Sequence, residues 1–282
     1  MKIAEIFGSR EISETKSNNM FLLGQLVYYC PLKIMKTKGI IMYVGIKMRM
    51  ISFARQGSGN VSNTTPKKQS LWGRIFQVLL TWTVYFLFHP KIIYADKTLK
   101  KRLKGKSVVF VANHTHHFDG AFAMSVMWRH KPYVLVKKSW FEKKGTGKCI
   151  GWCRSIPINL DEADGAWYET AQEIVSRGGS LLIFPEGGLA RNKKINEFKP
   201  GAALLSAKTG TPIVPCAIWG SYSPVFGKRQ KMLVGEPIES ACPETMRPSK
   251  YARQLIAQSE QAVRELYAQL RDKYGDCGQY NS

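Results

Sequence analysis

Short apolar segments alternate with helical stretches from about residue 100 onward, and this alternation limits the possible folds more than any other feature of the chain. Six segments have the length and composition of β-strands: residues 107–113, 132–138, 155–160, 180–185, 212–219 and 232–238. Residues 163–177 and 201–208 are predicted helices, and residues 248–274 form a predicted long amphipathic helix. Strands that alternate with helices predict an α/β fold, here a mixed β-sheet flanked by helices.

The segment from Leu71 to Phe88 is the most apolar part of the chain. Its apolar stretch, residues 75–88, reaches only about 21 Å as a helix, whereas a hydrocarbon core is about 30 Å thick. Trp72, Trp82 and Tyr85 are residue types that favour the membrane–water interface, and basic residues flank the segment on both sides. We therefore predict a helix that lies in the membrane surface. The alternative is a buried helix of a soluble core.

The composition divides the chain into three predicted parts. Residues 1–66 are predicted to be a poorly structured extension ending in a linker at 56–66, residues 67–95 the membrane-interface helix, and residues 96–282 the main domain. Met48 and Met50 precede the linker, which suggests an internal start site as a hypothesis. The N-terminus lacks the apolar region of a secretory signal, and the six cysteines lack zinc-site spacing. The expected location is a membrane, on its cytoplasmic face.

The net charge of +22 predicts an anionic partner. Residues 67–149 hold 17 basic and 3 acidic residues, so a net charge of +14 is concentrated in one stretch beside the apolar helix. Anionic lipid, a phosphate-bearing substrate and nucleic acid would all satisfy this charge. Nucleic acid is the weakest of the three alternatives, because the sequence contains no helix-turn-helix, zinc-finger or RNP-type element.

The densest group of chemically active residues follows the predicted strand 107–113. His114 and Asp119 are five positions apart, which would place their side chains on opposite faces of a strand and about 140° apart on a helix. Only a tight strand-to-helix turn could join them, and a histidine held by a carboxylate is a common general base. Two alternatives stay open: a zinc site using His114 and His116, for which a third ligand is missing, and a polar turn without chemistry.

A second group closes the predicted strand 180–185. Glu186, Gly187 and Gly188 form a turn in which backbone N–H groups could approach an anion closely, and Arg191 is the first of several cations that follow. Taken alone, this pattern is a common turn and a weak indication of a phosphate site.

Both groups together, in this order, resemble the glycerolipid acyltransferase family that includes 1-acylglycerol-3-phosphate acyltransferases. The family's N-H-x₄-D motif is matched by Asn113, His114 and Asp119, and its F-P-E-G motif by residues 184–187. The later F-K-P-G-A run at 198–202 and the I-V-P element at 213–215 also follow in family order. The resemblance covers residues 107–238.

The resemblance implies transfer of an acyl group from a thioester to a lysophospholipid hydroxyl, without a covalent enzyme intermediate. His114 would be the general base and Asp119 would orient it, while Glu186, Gly187, Gly188 and Arg191 would hold the acceptor phosphate. It implies no metal and no bound cofactor, with acyl-CoA or acyl-carrier protein as co-substrate. Anionic membrane lipid is the expected surface partner.

Two departures from the family pattern concern the acceptor. The family's second motif usually ends in an arginine, whereas residues 158–160 of this chain read I-N-L, and Arg154 at the other end of that strand is a candidate replacement. The family's F-P-E-G is often followed by T-R-S-R, of which only Arg191 is present here. Another lysolipid, or an acceptor without phosphate, is therefore an alternative.

Overall fold

The computed structural model describes residues 69–159, 165–190, 194–222 and 228–280. The predicted extension and linker within residues 1–66, and the cations Arg191 and Lys193, lie outside the described residues. All the elements below belong to the part of the chain from residue 69 onward.

The described residues form one seven-stranded mixed sheet, which confirms the predicted fold class. The strands are β1 (Lys91–Tyr94), β2 (Val109–Ala112), β3 (Tyr133–Lys137), β4 (Ser155–Ile158), β5 (Leu181–Ile183), β6 (Ile213–Trp219) and β7 (Lys231–Val234). Their spatial order is β1-β7-β6-β2-β5-β3-β4, and every pairing is parallel except the antiparallel pair β6–β7. The two central strands, β2 and β6, are buried throughout.

Helices cover both faces of this sheet. They are α1 (Leu71–Phe88), α2 (Leu99–Arg102), α3 (Asp119–Val126), α4 (Thr146–Trp152), α5 (Ala166–Ser176), α6 (Gly201–Thr209) and α7 (Pro248–Tyr274), with a 3₁₀ turn at Lys138–Trp140. Side chains of β2 alternate between the two cores: Val109 and Val111 pack with α5, α6 and α7, whereas Phe110 and Ala112 pack with α1, α2 and α3. Both faces are thus closed, as a largely parallel sheet requires.

The sheet differs from the predicted strands at its β1–β7 edge. Residues 91–94 form β1, which the sequence pattern did not predict, because four residues after Pro90 give too short an apolar run to distinguish. The predicted strand at 232–238 ends at Val234. A side chain at Gly235 would clash with Leu266 and Pro215. Beyond it, Ile238 pairs only as an isolated bridge with Ile213.

Helix α1 packs along the domain on one side and is open on the other. It begins at Leu71, where the Ser70 hydroxyl accepts a hydrogen bond from the Gly73 N–H at 3.1 Å. Gly73 and Val84 are buried, whereas Trp72, Trp82 and Phe86 are 71%, 72% and 79% exposed. Among the described residues, α1 is the one helix long and apolar enough to cross a membrane by length and composition.

Candidate active site

The polar segments that follow β2 and β5 meet at one edge of the sheet. Because β2 and β5 are parallel neighbours, residue 113 onward and residue 184 onward both begin at their carboxyl ends. This is the edge at which α/β sheets usually bind ligands. The two groups of residues singled out by sequence are therefore brought together in space.

The His114–Asp119 pair forms across a strand-to-helix turn. β2 ends at Ala112, and α3 begins at Asp119 itself. The turn places His114 Nδ1 3.0 Å from Asp119 Oδ2. Because a carboxylate only accepts hydrogen bonds, Nδ1 carries the proton and Nε2 is left with its lone pair. Within the described residues Nε2 has no hydrogen-bond partner, and the His114 side chain is 19% exposed, so it is open to a substrate.

Asp119 is fully buried, and both of its oxygens are satisfied. Its Oδ2 also accepts from the backbone N–H groups of Thr115 at 2.7 Å and His116 at 2.8 Å. Its Oδ1 accepts from the Tyr222 hydroxyl at 2.6 Å. The spacing of the motif thus serves two purposes, because the same carboxylate closes the turn and fixes the imidazole.

Tyr222 comes from the loop after β6, and no sequence motif indicated it. Its ring stacks on His116, with centroids 4.6 Å apart, and meets Phe122 of α3 and Phe88 of α1 edge-on. Burial and the negative charge of Asp119 raise the pKa of Tyr222 well above its ordinary value. The hydroxyl is therefore a permanent donor to Asp119 at any physiological pH.

Glu186 holds the backbone of His114. Its Oε1 accepts from the His114 N–H at 2.7 Å, and its Oε2 accepts from the Asn196 N–H at 2.9 Å. The Ala190 N–H donates to the His114 carbonyl oxygen at 2.8 Å, so the loop after β5 binds both backbone groups of His114. Burial raises the pKa of Glu186 above its ordinary value. These contacts give Glu186 a positioning geometry, and its predicted contact with phosphate stays a prediction.

The F-P-E-G turn also shapes the surface beside His114. The ring of Phe184 stacks on the imidazole of His114, with centroids 4.4 Å apart. Gly187 has φ +69°, and a Cβ there would lie 2.7 Å from Nζ of Lys199. The positive φ favours glycine here, whereas the end of the flexible Lys199 side chain could move aside. The exposed Lys199 ammonium beside this turn is a cation that the sequence reasoning did not single out, although it lies in the F-K-P-G-A run.

The end of the chain packs against the start of the motif. Asn113 is fully buried, and its Oδ1 accepts from the Ile218 N–H at 2.7 Å. Its Nδ2 donates to the Ile218 carbonyl oxygen at 3.0 Å and to the Tyr280 hydroxyl oxygen at 3.1 Å. Gln279 Nε2 donates to the Thr115 hydroxyl at 3.1 Å. Burial raises the pKa of Tyr280 above its ordinary range. Residues beyond α7 thus support the turn that carries His114.

The other two histidines of the motif face aromatic rings. His116 Nδ1 accepts from the Phe118 N–H at 3.2 Å, and the His117 ring lies 5.3 Å from that of Trp140. Burial lowers the pKa of both. No group of three or more His, Cys, Asp or Glu side chains in the described part of the chain could hold a metal ion.

The remaining predicted site residues lie in different places. Gly188 follows the F-P-E-G turn with open space where a Cβ would sit. Arg154 precedes β4, so it lies at the amino edge of the sheet, and β4 is three positions from β2 in the strand order. Its guanidinium lies over the ring of Tyr133 at 5.3 Å. The structure therefore does not bring Arg154 together with His114. Because β4 runs in the same direction as β2, a residue before β4 and a residue after β2 lie at opposite edges of the sheet.

Known acyltransferases are similar to the part of the chain that contains this site. The sequence profile described as Acyltransferase matches residues 93–219. A putative 1-acyl-sn-glycerol-3-phosphate acyltransferase of Caenorhabditis elegans is 30% identical over 177 residues, which cover 61% of this chain and 63% of that protein. A chloroplastic 1-acyl-sn-glycerol-3-phosphate acyltransferase of Brassica napus is 41% identical over 123 residues, which cover 40% of this chain and 33% of that protein. In these two relatives, the match spans less than two thirds of the curated protein.

A solved structure has the same fold. The 1-acyl-sn-glycerophosphate acyltransferase of Thermotoga maritima superposes with a TM-score of 0.50 at 20% identity, covering 70% of this chain and 80% of that one. The profile match contains both motifs that form the site described above. The chain is thus similar to acyltransferases over residues 93–219, and the relatives that it resembles there are named 1-acyl-sn-glycerol-3-phosphate acyltransferases.

Proposed function

We propose that this protein is an O-acyltransferase that moves a fatty acyl group from a thioester to the hydroxyl of lysophosphatidic acid or a related glycerophospholipid. The observation that carries the proposal is the contact between His114 Nδ1 and Asp119 Oδ2 at 3.0 Å, at the carboxyl edge of the sheet, with Nε2 open. The names of the relatives support the same reaction class and acceptor.

His114 acts as a general base in the proposed reaction. Nε2 takes the proton of the acceptor hydroxyl while its oxygen attacks the thioester carbonyl carbon. The tetrahedral intermediate collapses, the carbon–sulfur bond breaks, and the leaving thiolate takes the proton from the imidazolium. Asp119 keeps the proton on Nδ1 and stabilises the imidazolium that forms during the attack. The products are the ester and a free thiol, and no enzyme side chain is acylated.

Cations beside the F-P-E-G turn hold the acceptor phosphate in this proposal. Lys199 projects over Gly187, next to the loop that binds both backbone groups of His114. Lys194 is exposed in the same loop, and Arg191 belongs to it by sequence. We leave Arg154 out of the proposed site because of its position at the opposite edge. In the proposed site Glu186 positions His114, because both of its oxygens accept hydrogen bonds from backbone N–H groups. We assign the predicted phosphate contact to the cations instead, because the negative charge of Glu186 would repel a phosphate.

The exposed face of α1 would attach the enzyme to the membrane that contains its acceptor. At 18 residues, α1 is about 27 Å long, and its side chains contact the domain near both ends. Phe76 meets Trp152 edge-on at 5.6 Å, and Phe88 meets Tyr222 at 5.7 Å. A helix held along the domain in this way is better placed to lie in one leaflet than to span both. The basic stretch 67–149 would favour anionic lipid on the cytoplasmic side.

The test is a purified-enzyme assay in which two donors, palmitoyl-CoA and palmitoyl–acyl-carrier protein, are each combined with lysophosphatidic acid, other lysophospholipids and glycerol 3-phosphate. We expect one thiol released per ester formed, with lysophosphatidic acid among the best acceptors. A preference for a lysolipid without a terminal phosphate would change the proposed acceptor but would still support acyl transfer from a thioester to a hydroxyl. Thiol release without any ester product, on every acceptor, would contradict the proposed function.

A further inference from the structure

The hydrogen bond between Tyr222 and Asp119 connects the general-base pair to a residue outside every motif. Asp119 Oδ2 is occupied by the imidazole of His114 and the turn backbone, so Oδ1 needs a separate donor inside the protein. The Tyr222 hydroxyl at 2.6 Å is that donor. Among the described residues, the side chains that bond to Asp119 are those of His114, Thr115 and Tyr222, and none of them is a lysine or arginine.

The ring of Tyr222 is held firmly enough to fix this hydroxyl. His116 stacks on the ring at 4.6 Å, while Phe122 and Phe88 meet it edge-on at 6.3 and 5.7 Å. The three contacts come from the turn, from α3 and from α1, so the ring is supported by three separate elements. A donor that cannot rotate away orients the carboxylate plane, and the carboxylate plane orients the imidazole.

We propose that Tyr222 is a positioning residue for catalysis, which holds Asp119 in the orientation that keeps His114 ready to accept the substrate proton. The inference rests on the proposed general-base role of His114. It assigns Tyr222 no contact with either substrate, since its hydroxyl is committed to Asp119. Loss of the hydroxyl should therefore change the chemical step and leave substrate binding nearly unaltered.

The Tyr222→Phe variant removes the hydroxyl and keeps the ring with all its aromatic contacts. We expect kcat to fall about 10- to 100-fold, as for the loss of a hydrogen bond to a charged group, with KM for donor and acceptor within about twofold of the wild type. We also expect the acid limb of the kcat/KM profile to move to higher pH by about 0.5–1 unit. The profile moves because Asp119, with one donor fewer, interacts more strongly with the imidazolium form of His114. The fall in kcat has a different cause, which is that the carboxylate no longer holds the imidazole in its reactive orientation.

Other titratable groups near the pair are unchanged by this substitution, so they do not account for such a shift. They are His116 and His117 in the turn, Glu186 in the loop after β5, Arg264 on α7 and Tyr280 in the C-terminal segment. The matched control is Tyr94→Phe. This variant removes the hydroxyl of a half-buried tyrosine and its hydrogen bond to His130 at 3.3 Å, while His114 and Asp119 keep all their contacts. We expect this control to keep the wild-type kcat and pH profile.

Measuring His114→Ala in the same series separates the two claims. An inactive His114→Ala together with a Tyr222→Phe variant of wild-type kcat and pH profile would overturn the role of Tyr222 and leave the proposed function standing. An active His114→Ala would overturn the proposed base, and the role of Tyr222 with it. The inference would also be overturned if Tyr222→Phe had a lower melting temperature, an unshifted pH profile and a loss of activity no larger than its loss of folded protein. That result would show a purely structural role for Tyr222.

Discussion

Replacing Asp119 by asparagine tests the chemical role of the carboxylate separately from its structural role. The amide oxygen can take the place of Oδ2, where it still accepts from the N–H groups of Thr115 and His116 and from Nδ1 of His114. The amide nitrogen then faces the Tyr222 hydroxyl, which can rotate to accept. The shape and the hydrogen bonds are kept, so the substitution removes the negative charge and little else.

The expected loss of rate follows from the distance between the charges. A full positive charge on the imidazole, 3.0 Å from the carboxylate, gains about 5.5 kcal/mol at an effective dielectric constant of about 20. Proton transfer that is half complete in the transition state gains about half of that. We therefore expect Asp119→Asn to lower kcat about 10²-fold, rising to about 10⁴-fold if the proton transfer is complete in the transition state, with KM for both substrates little changed.

Asp119→Ala is the contrasting variant, because it also removes the turn contacts. It leaves two backbone N–H groups and the Tyr222 hydroxyl without their acceptor, at a cost of about 1–3 kcal/mol for each buried group. The total is thus at least about 3 kcal/mol, which corresponds to a melting temperature lower by at least about 6–12 °C for a domain of this size. Steady-state kinetics and thermal unfolding of both variants are the assays. An Asp119→Asn variant that changes only KM, or that unfolds as early as Asp119→Ala, would refute the reasoning.

Three further predictions concern the surroundings of the site. Tyr280→Phe removes the bond to Asn113, so we expect a loss of about 1 kcal/mol and a melting temperature about 2–4 °C lower; an unchanged value would show that the C-terminal segment gives no support. His116 and His117 have pKa values lowered by burial, so the unfolded chain binds more protons below about pH 6.5 and the free energy of unfolding should fall as the pH drops through that range. His117→Gln should flatten this pH dependence in chemical unfolding, and an equally steep dependence would contradict it. The double variant Trp82→Ser, Phe86→Ser should weaken binding to phosphatidylglycerol vesicles at least 10-fold in cosedimentation. Val84→Ser, at a buried position of the same helix, should instead lower the stability of the protein. Undiminished vesicle binding by the double variant would show that α1 is not the attachment site.

The contact between His114 and Asp119 was predictable from sequence because it is local. His114 and Asp119 are joined through one turn, and both motifs follow strands that the apolar pattern revealed. The bounds of α7 are those of the predicted helix at 248–274. The amphipathic pattern extends over many turns, and Pro248 and Gly275 mark its two ends. The ends of the strands differ by a few residues from the predicted ones, because the residue types at the end of a strand also occur in the loop that follows it.

The supporting residues were not predictable from sequence, because their contacts join distant parts of the chain. Tyr222 is 103 positions from Asp119, and Tyr280 is 167 positions from Asn113. Neither tyrosine lies in a pattern that a turn or a period produces. Arg154 shows the converse difficulty: the resemblance marked its strand, but only the parallel direction of β4 reveals that this arginine lies at the far edge.

The central claim is that His114 accepts the proton of the acceptor hydroxyl, and the most direct measurement is the rate of ester formation by His114→Gln. This variant keeps a side chain that can donate to Asp119, but it has no basic nitrogen in place of Nε2. We predict that ester formation from lysophosphatidic acid and the preferred thioester falls by about 10²–10⁴-fold or more, with unchanged melting temperature and acceptor binding. Ester formation within about threefold of the wild-type rate would contradict it.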